Sequence, residues 1–262
     1  IVNVFGTIIS DGTVGATFET LEPNLVFENG GQYIHSTTRS GQTTLGDIPN
    51  ATWNLGSTCL IEGFTDPDGN FGFMGNSDEQ FFDSFIWNCP AQTTNVNLAG
   101  STITANSFTM TSTGTGGVGL GGSTNGIIDC IDYTHTNGSI NFATTTGNGE
   151  IRCSGSFSHT GGLLTETGSG SGLITFDGAS SQTITSTGTV TNQVSYRLDN
   201  AAGAVLQAGS TFTINDGAFF YRTDGALTGA GNVEYLTGGA LSYDGSTAIT
   251  TESSEIGRAS CR

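Results

Sequence analysis

The sequence predicts an all-β protein wound as a right-handed parallel β-helix, a β-solenoid with a coil period of about 23 residues. Three observations carry that prediction. Three segments repeat one frame at this spacing: "STITANSFTMTSTG" (101–114), "GIIDCIDYTHTNG" (126–138) and "GEIRCSGSFSHTGG" (149–162). Within each, inward-type residues alternate with polar ones, the two-residue period of a strand. No ten-residue stretch shows a helical period, and Val, Ile, Phe and Thr dominate the ordered stretches. An antiparallel β-sandwich would also give short strands and turns, but it would not require one residue type to recur in every coil.

Taken along the chain, residues 1–92 form a β-rich part with Trp and Cys motifs, read as the first coils or the cap of the same solenoid. "ATWNLGSTCLIEGFT" (51–65) and "FDSFIWNCPAQ" (82–92) each pair Trp-Asn with a nearby cysteine. Their tryptophans would cover the end or flank of the first coils, or stack exposed on sugar rings; packing is the commoner fate of Trp. A Cys59–Cys89 disulfide fits if the compartment is oxidising. Between them, "TDPDGNFGFMGNSDEQ" (65–80) is the densest acidic loop, and Asp66, Asp68 and Asn70 alternate as calcium ligands often do. The glycine and the terminal acid are misplaced for an EF-hand, so a polar turn is the plainer reading and calcium the only cofactor in view.

Residues 93–254 are the coils. The shared frame is Ile103, Ala105, Phe108 and Met110, then Ile128, Cys130, Tyr133 and His135, then Ile151, Cys153, Phe157 and His159. Ile128 and Cys130 share a face while Asp129 points the other way, and the same holds for Ile151 and Cys153 around Arg152. Stacked one coil apart, Asp129 and Arg152 would face each other outside. Further on, "LITFDGASSQTIT" (173–185) resembles "ALSYDGSTAITT" (240–251), with Phe176-Asp-Gly and Tyr243-Asp-Gly close to three coils apart. "AVLQAGSTFTINDGAFFY" (204–221) reads as strand, turn, strand, turn, strand. The last eight residues, "EIGRASCR" (255–262), break this pattern and resemble the in-frame translation of a sequencing-library adapter, so they are read as a non-native tail. Four cysteines then remain, and a chain starting at Ile1 is read as a fragment.

His135 and His159 occupy equivalent positions in successive coils, which raises a metal or catalytic pair against one structural position written twice. The coil before supplies Met110, a poor zinc ligand, and His35 lies far back in the chain. A metal needs a third ligand, so the structural ladder is preferred. Cys130 and Cys153 fall within bridging range one coil apart, but side-by-side side chains strain a disulfide, and a ladder of thiols is expected.

Charge excludes more than it assigns. Twenty-three acids stand against six arginines and no lysine, a formal net charge of −17. No basic patch exists to displace counterions from nucleic acid, so nucleic acid is not a partner. No run approaches 18 apolar residues, so membrane insertion by a helix is not expected. Catalytic motifs are missing too: no G-x-S-x-G, H-E-x-x-H or Walker loop occurs, and no acids recur in the two coils beside Asp129 and Asp132.

The stretch "GDIPNATWNLGSTCLIEG" (46–63), followed by "FFDSFIWNCPAQ" (81–92) and preceded by "NLVFENGGQYIHS" (24–36), resembles large repetitive secreted β-helix proteins of Bacteroidota, several of which use the type IX secretion route. That resemblance implies an extracellular or cell-surface location and brings no catalytic residues. The expected function is a non-catalytic, adhesin-like solenoid segment of a larger surface protein, contacting glycans or other surface proteins. The alternative is a carbohydrate-active β-helix enzyme, a polysaccharide lyase or glycoside hydrolase, or a fragment of one.

Overall fold

The computed structural model describes residues 1–11, 24–36, 38, 48–65, 80–98 and 100–244. Every strand pairing among them is parallel, which rules out the antiparallel sandwich and leaves the β-solenoid. One fifteen-stranded sheet runs the length of the molecule, and strands from residues 1–92 belong to it without a break, so the N-terminal part is the same solenoid.

The coil that starts at Gly126 shows how the chain winds. The strand Gly126–His135 carries two inward sets, Ile128 and Cys130 and then Tyr133 and His135, separated by the exposed Ile131 and Asp132. A turn at 136–138 leads into Ser139–Ala143, which belongs to a lateral sheet. From the next coil on, the long strand is cut in two, as in Gly149–Cys153 and Phe157–His159, or Gly172–Phe176 and Gln182–Ser186. The cut falls where Asp132 accepts a hydrogen bond from the Ser156 amide at 2.7 Å, so the corner is secured by a carboxylate from the coil before.

Alternation and stacking together build columns. Tyr33, Cys59, Phe85, Phe108, Tyr133, Phe157, Ile184 and Leu206 are successive register partners, all buried. In the middle of this column the rings of Phe85, Phe108, Tyr133 and Phe157 stack face to face at 5.8, 5.7 and 4.9 Å. Each such pair contributes about 0.5–1.5 kcal/mol beyond its buried area. Beside it, Ile103, Ile128, Ile151, Ile174, Tyr196 and Phe220 form a second column. Phe176 and Tyr243 also share a column three coils apart, with Leu198 and Arg222 between them. Because each coil buries its apolar side chains against its neighbours, stability passes along the axis from rung to rung.

Close approach dictates another column, Gly126, Gly149 and Gly172, at the start of three successive strands. A Cβ at Gly149 would collide with the carbonyl oxygen of Phe142. Gly149→Ala should therefore cost about 1–3 kcal/mol, the usual price of overpacking. Gly6→Ala, where a Cβ meets nothing within 4 Å, should change the urea midpoint by no more than about 0.5 kcal/mol equivalent.

The lateral sheet is discontinuous. Asn95–Asn97, Gly117–Gly121, Ser139–Ala143, Leu163–Thr165 and Thr189–Val190 pair in sequence. Thr211–Ile214 and Asn232–Tyr235 then form a separate two-stranded sheet. The break between Thr189–Val190 and Thr211–Ile214 positions the site described below.

Candidate functional site: a lateral groove and a buried histidine column

Two of the chain's three histidines, His135 and His159, are singled out by the sequence repeat. His135 and His159 are register partners, with ring centroids 5.0 Å apart. Their column reads Ser10, His35, Ile61, Trp87, Met110, His135, His159 and Ser186, so all three histidines of the chain lie in it. All three are fully buried. His35 and His135 each share a hydrogen bond of 3.3 Å between Nδ1 and the hydroxyl of the tyrosine two residues before. Burial lowers their pKa values, to about 4 for His35 and His159 and about 3 for His135, where the neighbouring His159 adds to the effect. The imidazoles are therefore neutral at pH 7.

Glycines one coil beyond His135 and His159 have a steric reason. A Cβ at Gly162 would press on His135 Nε2, and one at Gly188 would land on the His159 ring. Each glycine seals the imidazole of the coil before. No group of three metal-ligating side chains forms among the described residues, and the neighbours of the histidine pair in the column are Met110 and Ser186. His135 and His159 are two successive rungs of one buried column.

The cysteines behave similarly, with one correction. Cys130 and Cys153 are buried free thiols on adjacent rungs, beside the partnered Ile128 and Ile151. The neighbouring Cys153 thiol, by hydrogen bonding, and then burial hold the Cys130 thiol well above its ordinary pKa. Cys59 and Cys89, expected as a disulfide, are also free. Cys59 lies inward in mid-strand between Tyr33 and Phe85, whereas Cys89 follows the end of Phe81–Asn88 and directs its Sγ to the Ile61 carbonyl. They occupy different positions of the cross-section, so the shared Trp-Asn motif does not bring them together.

The tryptophans are interior. Trp53 stacks on Phe27 at 4.3 Å, and its Nε1 donates to Gln80 Oε1 at 2.7 Å. Trp87 sits in the histidine column and donates to Gln92. Neither offers a sugar platform. Asp66, Asp68 and Asn70 lie outside the described residues.

On the outer face Asp129 and Arg152 are register partners, but Arg152 turns to Glu150 on its own strand, at 3.1 Å. Glu150 also accepts from the Thr175 hydroxyl at 2.7 Å. With Asp177 raised by burial and by Asp129, acids do recur over three coils here, contrary to the sequence reading, and Arg152 is set among them.

The groove was not legible in the sequence. An open cavity of about 910 Å³ lies along the lateral face where the two lateral sheets part. Its walls are the residues just after four successive lateral strands: Glu166 and Thr167, then Asn192 and Gln193, then Asn215 and Asp216, then Leu236 and Thr237. Asn192 has φ of 60°, the only positive value among the described non-glycine residues. Asn tolerates this conformation better than most residues. Here it aims Nδ2 back at the Glu166 carbonyl, 2.6 Å away, and at Thr165 Oγ1, 3.1 Å away. Asn215 Nδ2 reaches the Val190 carbonyl at 3.3 Å, across the break between the sheets. The Asn215 side-chain amide thus bridges the two coils where the break interrupts backbone pairing.

Glu166 is the chemical focus of the groove. It is only 5% exposed, and its Oε1 is buried without a partner. Burial raises its carboxyl above the usual range, and a hydrogen bond from the Gly168 amide offsets part of that. A left-handed Asn192 and a buried Glu166 oxygen without a partner thus stand side by side in the groove.

Comparison with family models, with curated proteins and with solved structures gives no match.

Proposed function

We propose that this chain is a segment of a larger extracellular or cell-surface protein, a non-catalytic adhesin-like scaffold that contacts a glycan through its lateral groove. The observation that carries this reading is the groove itself: amides, hydroxyls and carboxylates brought together from four coils around the partnerless Glu166 Oε1. Side-chain amides supply both donors and acceptors, which is what sugar hydroxyls require. Parallel stacking holds those groups at fixed spacing before any ligand arrives, which lowers the cost of binding. The net charge of −17 argues against nucleic acid and anionic surfaces as partners.

A glycan array probed with the full chain tests the proposal. Gln193→Ala combined with Thr237→Ala should reduce the signal about tenfold or more while leaving the circular dichroism unchanged. Leu55→Ala, at an exposed position in an early coil, should leave the signal intact. Array binding that ignores the groove substitutions would refute this assignment.

One observation favours a second reading, glycoside hydrolysis. Glu166, with its raised carboxyl, and Asp216 line the same groove two coils apart. Two coil rises of ~4.8 Å separate them by about 10 Å, near the upper end of the spacing between the two acids of inverting enzymes. Release of reducing ends from an array-positive glycan, abolished by Glu166→Gln, would establish that reading in place of the first.

A further inference from the structure

The groove's chemistry goes further than glycans in general. Its four ledges follow one another at the coil rise of ~4.8 Å, so they extend about 14 Å from first to last. Each ledge offers a different pair of side chains: a carboxylate with a hydroxyl, two amides, an amide with a carboxylate, and a leucine with a hydroxyl. Leu236, 44% exposed, adds an apolar surface at one end. Among the described residues no cationic side chain lines the groove. The three described arginines are engaged elsewhere: Arg152 pairs with Glu150, Arg197 lies over the Tyr221 ring, and Arg222 is fully buried.

From this geometry we infer that the groove takes an uncharged, hydroxyl-rich chain, a neutral oligosaccharide, laid parallel to the solenoid axis with about one sugar per coil, and that it rejects acidic glycans. The inference rests on the reading of the groove as a glycan site. Glu166 and Asp216 repel a carboxylate or sulfate at short range, with no cationic side chain among the groove's described residues to compensate. The same two acids accept hydrogen bonds from sugar hydroxyls, and such charge-assisted bonds are about twice as strong as neutral ones. Leu236 meets the apolar face of a terminal ring. A single divalent cation is a poorer occupant, because the two acids stand about 10 Å apart and ligands lie only about 2.3–2.6 Å from a bound calcium.

The test is isothermal titration of the full chain with neutral gluco- and manno-oligosaccharides of increasing length and with uronic-acid oligomers of the same lengths. Affinity for the neutral series should rise with length and level off at about four units, one for each ledge. The uronic-acid series should bind about tenfold more weakly at low salt, with the gap narrowing as salt is added. Glu166→Gln with Asp216→Asn should close most of that gap. Equal binding of both series, still sensitive to Gln193→Ala, would overturn the selectivity and leave the glycan site standing. Affinity independent of length would overturn the axial arrangement. Failure of every glycan to bind would sink both the inference and the function it rests on.

Discussion

Acidification from pH 7 to pH 5 should cost the fold about 6 kcal/mol, about 2 kcal/mol for each of its three histidines. The cause is burial. In the unfolded chain each imidazole takes a proton near its ordinary value of about 6.5. In the folded chain that value is lowered to about 4 for His35 and His159 and about 3 for His135. Well above pH 6.5 the histidines are neutral in both states and the stability is fully present. As pH falls below 6.5 only the unfolded chain binds protons, and stability drains away until the folded values are reached. Glu166 and Asp177, whose carboxyls are raised, act in the opposite sense but are only two. Urea unfolding at the two pH values measures the difference. His135→Met, which copies the Met110 rung above it, should recover about a third of the loss. A urea midpoint that stays put between pH 7 and pH 5 would be incompatible with neutral buried imidazoles.

Tyr133→Ala should destabilise the protein by about 3–5 kcal/mol, the range for removing a buried aromatic ring. Tyr133 is stacked on both faces, at 5.7 Å from Phe108 and 4.9 Å from Phe157, and its hydroxyl shares a hydrogen bond with His135. Tyr133→Phe separates these contributions and should cost only about 1 kcal/mol. The alanine variant has a second expected signature. Coupling in a solenoid is between nearest neighbours, so a weak rung uncouples the coils on its two sides. Trp53 and Trp87 both precede that rung, and tryptophan fluorescence therefore reports the early coils while circular dichroism reports all of them. The two transitions should coincide in the parent chain and separate in Tyr133→Ala. Coincident transitions with a loss below about 1 kcal/mol would show that the ring column does not couple the coils.

The columns were readable because strand geometry is local. Alternation at Ile128 and Cys130, and again at Ile151 and Cys153, tells which residues point inward before any partner is known. Recurrence of an aromatic and a histidine one coil later then sets the register. His35 escaped the same reasoning because Ile61, Trp87 and Met110 fill its column before His135, and burial at that position is kept while the residue type is not. The Cys59–Cys89 pairing failed for a related reason: a shared Trp-Asn motif says nothing about where each cysteine sits in the cross-section.

What the amino-acid order determined by itself is the winding: an inward period of two, repeated at the length of one coil, leaves parallel stacking as the arrangement in which like side chains meet. What only the tertiary structure decided is the groove and the partner of Arg152. Glu166, Asn192, Asp216 and Leu236 share no residue type and stand far apart in the chain, so no local pattern joins them. They meet because the lateral sheet stops at Thr189–Val190 and resumes at Thr211–Ile214, and the ends of four strands are left to line the gap.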